Sequence, residues 1–341
     1  MAPLAFTIKD IARQAKASTA TVSRVLNNKP GVTEEKRRLI LALAEQHGYS
    51  PNRIAQNLAT KKSHLLGFIA ADLQNHSYVE SFRHVQHRVE ELGYQVLIAD
   101  SEQNLEKEKH NIRVMRQHRA EGILLFPVHD WHEKSSVDHL LRLQKENFPF
   151  VLIGKIDDHD FNYVSTEEIE AARKLTQHLI DLGHREIAFV GWDASNRPVH
   201  ERYTGYERAL QNAGIDPISQ ARILLNGDWP GQLKKLLKAR KRPTALVMIN
   251  DVLTLQAQKI FHEAGVGVPR DLSVVAFGAG EWLMHLQPAV TASVENNVEV
   301  ARTALEMLLK KMENPSNESE QRLIAQKLVI RESTKHSAKK K

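Results

Sequence analysis

The sequence predicts a small all-α headpiece of the helix-turn-helix kind, followed by a larger α/β domain whose two lobes are doubly wound parallel sheets. Basic residues concentrate in residues 1–64, which hold 11 Lys or Arg against 4 Asp or Glu, whereas the other 277 residues carry a net charge of −1. Short, capped helical segments fill the first 50 residues, and apolar runs then alternate with amphipathic stretches. A chain of 341 residues also exceeds one ordinary core.

Composition excludes several classes of protein. The absence of cysteine excludes a disulfide scaffold, thiol catalysis and cysteine-based zinc fingers. No apolar run approaches the roughly 18 residues of a membrane span, and the N-terminus turns polar too soon for a secretory signal, so we expect a cytoplasmic, nucleoid-associated protein. The basic first segment indicates contact with a polyanion, most often nucleic acid, although a solubilising face would also explain its charge.

The first helix is predicted to begin after Thr7. The hydroxyl of Thr7 can cap the helix, and Asp10 stands at the third helical position, as in a capping box. Helical spacing gives this segment one apolar face, formed by Ile8, Ile11, Ala12 and Ala15.

The second helix, residues 19–26 after the predicted cap Ser18, is the expected recognition element. Three short helices with a tight turn between the first pair are the helix-turn-helix design, whose second helix enters the major groove of DNA. Small side chains let such a helix approach base edges, and an arginine can bond guanine with both arms. We expect Val22, Val25 and Leu26 to face inward. The side chains left outside are Thr19, Ala20, Ser23 and Arg24.

A turn over residues 27–31 leads to Thr33, the predicted cap of a third helix over residues 34–47. Its side chains expected to face the other two helices are Leu39, Ile40, Leu43 and Ala44. The alternative interpretation of the whole segment is a helical mini-domain with an arbitrary polar face.

Three motifs in this segment resemble the headpiece of the LacI/GalR (lactose-repressor) family. They are Thr-Ile-Lys-Asp-Ile-Ala at 7–12, Ser-Thr-Ala-Thr-Val-Ser-Arg-Val-Leu-Asn at 18–27, and Gly-Tyr-Ser-Pro-Asn at 48–52. The resemblance implies that Thr19, Ala20 and Arg24 read bases. It implies that a further set positions phosphates without reading sequence: Ser18, Thr21, Ser23, Asn27, Thr33 and Asn52. The predicted DNA-binding set is completed by Thr7, Ala55, Gln56 and Leu58.

Residues 51–63 are predicted to be a hinge between headpiece and body, either a plain linker or a short helix. The resemblance favours a helix that orders on operator DNA, with Leu58 as an apolar wedge in a central minor-groove step. A helix of this length is unstable alone in water, which suits a switch.

The body contains strand candidates separated by amphipathic helical patterns, the arrangement of doubly wound sheets. The strand–helix rhythm appears twice, across 64–160 and 161–285, with a final helix at 295–312 and a last strand at 326–330. Ligands of such folds bind outside the carboxyl ends of the strands, here in a cleft between lobes. The strand candidates are 65–71, 95–99, 122–126, 150–153, 187–191, 223–225, 245–249 and 273–277.

The family resemblance continues through segments at 178–191, 243–251, 268–277 and 329–333, so that it covers residues 7–333. It implies a periplasmic-binding-protein-like effector and dimerisation domain over 64–333. The tail at 334–341 is basic and lacks leucine heptads, and we expect it to be disordered. The chain is therefore expected to form a homodimer.

The resemblance also places a set of effector-facing positions in the cleft. Among them, Trp229 offers a flat wall for a sugar or base, while Arg202 and Asn250 supply donors that fix orientation. Core packing for Trp229 and a surface salt bridge for Arg202 are the alternatives. The predicted set is Ser77, Tyr78, Lys155, Thr166, Arg202, Trp229, Asn250 and Gly278.

Three positions where relatives often carry an acidic residue are Gly154, Thr166 and Gly278 in this chain. One explanation is an anionic effector, such as an acidic or phosphorylated sugar, for which Lys155 and Arg202 replace repulsive carboxylates. The other is a different uncharged ligand, or no ligand.

The predicted function is a DNA-binding transcriptional regulator, in particular a repressor of a palindromic operator, with double-stranded DNA and a small sugar-like effector as partners. The alternative is a two-lobed sugar-binding receptor with no DNA role, which leaves the first 62 residues unexplained. No phosphate-loop, zinc-protease or serine-hydrolase motif occurs, and the histidines lack metal-ligand spacing. We therefore expect no enzymatic activity, no cofactor and no metal.

Overall fold

A computed structural model describes residues 6–26, 28–49, 62–128, 134–192, 197–224, 227–278 and 281–337. These residues form two compact units that divide between His64 and Leu65. No helix within the described ranges is long and apolar enough to cross a membrane.

The first unit contains α1 (Ile8–Gln14), α2 (Thr19–Leu26) and α3 (Glu34–Gln46), as the sequence predicts within one residue at each end. Their small core is built from the apolar spacing of each helix, with Ile11, Val22 and Ile40 almost fully buried. One prediction fails here. Leu39 is 44% exposed because α3 directs Ile40 and Ala44, one turn apart, at the core.

The second unit holds two six-stranded sheets. The lobe-1 sheet has the order β11-β5-β4-β3-β1-β2 and is parallel throughout. The lobe-2 sheet has the order β12-β10-β9-β8-β6-β7, and β12 is antiparallel to β10. The strands are β1 Leu65–Ala70, β2 Gln95–Asp100, β3 Gly122–Leu125, β4 Phe150–Ile153, β5 Tyr163–Thr166, β6 Ile187–Trp192, β7 Arg222–Leu224, β8 Ala245–Met248, β9 Ser273–Phe277, β10 Thr291–Val294, β11 Gln321–Ile324 and β12 Lys327–Val329.

Helices cover both faces of the two sheets, which confirms the predicted doubly wound class. The described helices are α4 His76–Glu91, α5 Leu105–Gln117, α6 Asp138–Lys145, α7 Glu168–Asp181, α8 Arg197–Asn212, α9 Trp229–Leu237, α10 Asp251–Glu263, α11 Glu281–His285 and α12 Asn297–Glu313. Short 3₁₀ turns occupy Lys134–Val137 and Pro217–Ser219.

The strand–helix rhythm of 64–160 and 161–285 predicts that each lobe is one continuous stretch of chain, and this prediction is wrong. Helix α12 packs on α4, β3 and β4, and its Val300, Ala304 and Leu305 belong to the lobe-1 core with Phe68. Strands β5 and β11 also lie in lobe 1, although the sequence rhythm does not predict either strand. The chain therefore passes between the lobes three times: after β5, after β10 and between β11 and β12.

The chain beyond β12 is bonded to lobe 2 as far as Ser337, so the predicted disorder of the tail is wrong for residues 334–337. The Ser333 hydroxyl donates to the Val274 carbonyl at 2.5 Å, and the Ser337 amide donates to the Leu182 carbonyl at 2.8 Å. The buried His184 contacts the Lys335 carbonyl at 3.0 Å. Residues 338–341 lie outside the described part.

Candidate functional site

The outward face of α2 carries the side chains that the sequence assigns to base reading. Thr19, Ala20 and Arg24 are exposed, and Thr21 and Ser23 are half-buried, while Val22 and Val25 on the opposite side enter the core. The helix therefore presents two small residues at its first turn and one long cation a turn later. This combination suits close approach to base edges.

The amino ends of α1 and α2 are held as the sequence predicts. The Asp10 carboxylate accepts from the amide and the hydroxyl of Thr7 at 3.0 and 2.6 Å, and these bonds hold the pKa of Asp10 below its ordinary value. The Ser18 hydroxyl accepts from the Thr21 amide at 3.0 Å, which caps α2.

Thr33 precedes α3, but its hydroxyl makes no capping hydrogen bond, contrary to the prediction. The carboxylates of Glu34 and Glu35 stand in the first turn instead, where negative charge favours a helix N-terminus. The exposed Thr33 hydroxyl thus has no capping role in this structure.

Two basic residues of α3 that the sequence analysis leaves unassigned hold the turns beside α2. Arg37 donates to the Asn28 side chain at 3.0 Å and to the Lys29 carbonyl at 2.8 Å, and Lys36 donates to the Ala15 carbonyl at 2.9 Å. These bonds fix the turns at both ends of α2. Their Lys/Arg identity was visible in the sequence, but carbonyl partners 8 and 21 residues away were not.

Five predicted DNA-binding residues lie outside the described part of the chain: Asn27, Asn52, Ala55, Gln56 and Leu58.

Where the two lobes meet, the guanidinium of Arg202 is surrounded by acceptors. Its Nε and Nη2 donate to Glu168 at 2.6 and 3.2 Å, Nη2 also donates to Glu295 at 2.8 Å, and Nη1 donates to the Ile249 carbonyl at 2.7 Å. The group also lies 4.6 Å from the ring centroid of Phe277. Arg202 is 11% exposed, so it is neither the surface ion-pair residue nor the open donor that the sequence allows.

The pKa values of the two carboxylates in this cluster, Glu168 and Glu295, are shifted in opposite directions. Burial opposes the charge of Glu168, but Arg202 and the Thr166 hydroxyl at 2.6 Å outweigh burial and lower its pKa. Burial and the charge of Glu168 raise the pKa of Glu295 to about 7. Two carboxylates share one guanidinium, and Glu295 receives the smaller share of its hydrogen bonds.

Ser77, Tyr78 and Thr166 join this cluster. The Ser77 hydroxyl donates to Glu295, and burial together with the charge of Glu295 raises the pKa of Tyr78 to about 12. The ring of Tyr78 packs 4.2 Å from that of Phe126. The structure therefore brings together four of the predicted effector residues with two glutamates that the sequence analysis did not single out.

Lys155 belongs to a chain of ion pairs between the lobes. It contacts Asp157 at 3.0 Å, Asp157 also pairs with Arg197 of α8, and Arg197 pairs with Glu201 at 2.7 Å. Lys155 and Arg202 are thus already neutralised by carboxylates. An anionic effector would have to compete with these carboxylates for the two cations.

Trp229 and Asn250 have structural partners. Trp229 begins α9 and packs, half-buried, against the lobe-2 core, in agreement with the core-packing alternative. The Asn250 side-chain oxygen caps α10 by accepting from the Leu253 amide at 2.8 Å. Among the described residues, neither side chain forms a hydrogen bond or ion pair with the Arg202 cluster.

Backbone geometry accounts for glycine at two of the positions that lack an acidic residue. Gly154 has φ +134°, and a Cβ there would lie 3.2 Å from Pro127. Gly278 has φ +154°, and a Cβ there would lie 3.0 Å from the Cβ of the buried Asp251. A side chain at either position would therefore be strained. Asp251, which lies beside Gly278, has a pKa raised by burial.

Metal-ligating residues do not assemble into a centre in the described ranges, where no three His, Asp or Glu side chains are placed to hold an ion.

Comparison with known proteins follows the division seen in the structure. The family model described as bacterial regulatory proteins, lacI family, matches residues 7–52, and that of a periplasmic binding protein-like domain matches residues 176–334. Catabolite control protein A of Priestia megaterium is 31% identical over 96% of this chain and 99% of its own. The transcriptional repressor PurR of Aliivibrio salmonicida is 28% identical over 92% and 94%.

Among solved structures, the lac repressor dimer bound to operator and an anti-inducer has a TM-score of 0.83 and 25% identity, over 97% of this chain and 100% of that chain. The two-unit fold predicted from the sequence is confirmed.

Proposed function

The chain belongs to the lacI family of bacterial regulatory proteins, which are DNA-binding transcriptional regulators and not enzymes, and on that premise we propose that it represses transcription as a homodimer on a palindromic operator. The observation that carries the proposal is the face of α2, where Thr19, Ala20 and Arg24 stand exposed beyond a closed hydrophobic core. The solved lac repressor, similar to this chain along 97% of its length, is a dimer bound to operator.

The experiment is selection of the full chain against a random-sequence duplex library at fixed salt, followed by sedimentation of the complex. Two inverted half-sites with two chains per duplex are expected, because each chain offers one recognition helix. Enrichment of no motif would contradict sequence reading, and one chain per duplex would contradict the dimer.

Leu58 enters the proposal as a wedge that kinks the operator centre. Leu58→Ala should weaken operator binding and reduce the bend measured by circular-permutation gel shift, since an apolar wedge is what holds a step open. Gln56→Ala is the neighbouring control for loss of a polar contact without loss of the wedge. An unchanged bend in Leu58→Ala would contradict the hinge assignment.

The cleft is the proposed site of a small polar effector, a sugar or sugar derivative, whose binding shifts the lobes between two arrangements. Support comes from the convergence of Ser77, Tyr78 and Arg202 where the lobes meet. An acidic or phosphorylated sugar, which the sequence favours, would have to displace Glu295 from Arg202. An uncharged ligand would leave these ion pairs intact.

Thermal shift with glucose 6-phosphate, gluconate and glucose separates these ligand classes, with Glu295→Gln as the matched variant. If the effector is anionic, the acidic probes should stabilise Glu295→Gln more than wild type. Stabilisation by neither acidic probe in either protein would contradict an anionic effector. The cytoplasmic, nucleoid-associated location stays a prediction from the sequence.

A further inference from the structure

Six exposed cations surround the amino-terminal end of the lobe-2 sheet, far along the chain from α2. We call this set the sheet-end surface: Arg185, Arg240, Lys241, Arg242, Arg270 and Lys335.

Strand register brings these residues together. In the parallel pairs β6–β8 and β8–β9, Ile187 lies opposite Ala245 and Ala245 opposite Ser273. Arg185, Arg242 and Arg270 precede these three strand positions by two or three residues, so they leave the sheet at the same edge. Lys335 is tied there as well, because its amide donates to the Ser273 hydroxyl at 3.1 Å and its ammonium to the Arg270 carbonyl.

Positive charge at this edge is poorly compensated. Segments 185–186, 240–242 and 270–271 together with 331–335 contain seven cations and the three acidic residues Glu186, Asp271 and Glu332, which leaves a net charge of +4. Asp271 pairs with Arg270 at 2.7 Å, and its bonds from Arg270 and Gly267, with the charge of Arg242, lower its pKa to about 2. Within the described residues, no carboxylate lies within 4.0 Å of the other four side chains, those of Arg185, Arg240, Lys241 and Arg242.

Exposed cations elsewhere in the body are of two kinds. Some are paired with carboxylates, whereas others among the described residues, such as Arg83, Arg113 and Arg208, have no carboxylate within 4.0 Å but lie on separate helices. Arg302 of α12 binds both Glu299 and Glu306, and Lys109 of α5 binds Glu106 at 2.8 Å. What distinguishes the sheet edge is that four such cations, Arg185, Arg240, Lys241 and Arg242, come together just before two neighbouring strands.

We propose that the sheet-end surface binds the phosphate backbone of a second nucleic-acid duplex without reading its sequence. Three adjacent strands span about 10 Å, and about 10 Å of duplex carries about six phosphate charges. Four of the six cations are arginines, whose planar forks suit phosphate oxygens. When the headpiece is bound to DNA, other parts of that DNA are present at a high local concentration around the body. This supply of duplex is the one element of the inference that rests on the proposed function.

The test uses the full chain and a 150-bp random-sequence duplex, with the binding constant measured at several salt concentrations. The sheet-end variant combines Arg185→Gln, Arg240→Gln, Lys241→Gln and Arg242→Gln. The control removes the same charge from paired surface sites: Arg88→Gln, Lys107→Gln, Lys109→Gln and Arg302→Gln. The slope of log binding constant against log salt should fall by about 3 to 4 in the sheet-end variant and by less than about 1 in the control.

Equal slopes in the two variants would overturn the proposal, and so would a wild-type slope in the sheet-end variant. Polyglutamate that competes as well as duplex at equal charge would overturn the nucleic-acid assignment in favour of an acidic protein. The random-library selection distinguishes the failure of this inference from the failure of the proposed function. If the wild-type chain enriches no operator, the proposed function is contradicted. If the sheet-end variant still enriches the operator and its salt slope equals that of wild type, only this inference is contradicted.

Discussion

The headpiece and the cleft differ in whether their predicted functional side chains are exposed or already bonded within the fold. On α2, Thr19, Ala20 and Arg24 stand outside a finished core, so they contribute little to folding and are available to a partner. In the cleft, Arg202 and Glu295 are almost buried and bonded to one another. Recognition by the headpiece adds contacts to a complete fold, whereas recognition in the cleft must exchange existing contacts for new ones.

Removing the almost buried cation Arg202 gives the largest expected effect. Arg202→Met should lower the free energy of unfolding by about 3–5 kcal/mol, because it leaves Glu168 and Glu295 buried without their partner. Arg302→Met is the matched control, since Arg302 also binds two carboxylates but is 53% exposed, and it should cost less than about 1 kcal/mol. Similar losses in urea titrations of both variants would refute the distinction between cleft and surface.

Protonation of Glu295 sharpens the same contrast. Its pKa in the folded chain is raised to about 7 from an ordinary 4.5, so its contribution to stability is full below about pH 4.5 and is lost as the pH rises through 7. The contribution is at most about 3 kcal/mol. Glu295→Gln should flatten the decline of the unfolding free energy between pH 5 and 8, measured by urea titration at each pH.

Glu299→Gln is the control for that titration, because the pKa of the half-buried Glu299 is lowered rather than raised. It should leave the pH dependence above pH 5 as in wild type. A Glu295→Gln profile that still declines like wild type would remove Glu295 as the titrating group.

Arg24→Ala tests the opposite half of the comparison. Operator preference over random duplex should fall by about 10- to 100-fold, the value of one bidentate base contact, while the unfolding free energy stays as in wild type. Arg38→Ala removes the same charge from an exposed site on α3 and should spare the preference. Retained discrimination in Arg24→Ala, measured by competition gel shift, would show that α2 is not the reading helix.

The cap of α2 gives the smallest expected effect. Ser18→Ala should lower the protection of the α2 amides against hydrogen exchange by about 1 kcal/mol, since the Thr21 amide loses its acceptor. Thr33→Ala should change the protection of α3 less, because that hydroxyl makes no capping bond. A larger effect at Thr33 than at Ser18 would reverse this ranking of the caps.

The headpiece was predictable because its helices follow from neighbours in sequence. Ile11 on α1 and Val25 on α2 each belong to a set of apolar residues at helical spacing, and Ser18 directly precedes the helix that it caps. The body required more than periodicity. Strands β5 and β11 are four residues each and pair with one another across more than 150 residues, so local patterns could not assign them or α12 to lobe 1.

Cleft residues show the same limit more sharply. Its position in the sequence is enough to predict Arg202 as a site residue. Its hydrogen bonds to Glu168 and Glu295 cannot be predicted in this way, because these partners are 34 and 93 residues away. Lys155 is predicted to face the effector, but the sequence does not reveal that its partner Asp157 also pairs with Arg197. Glycine at 278 is explained by Asp251, which lies against it, and this contact is not visible in the sequence.

The threefold passage of the chain between the lobes has a mechanical consequence. Cutting the backbone at any one crossover would leave two peptide bridges, so a nicked molecule should migrate as one particle until it is denatured. Those bridges also restrict the relative motion of the lobes to bending about the three crossovers, so that a displacement of one lobe is transmitted directly to the other.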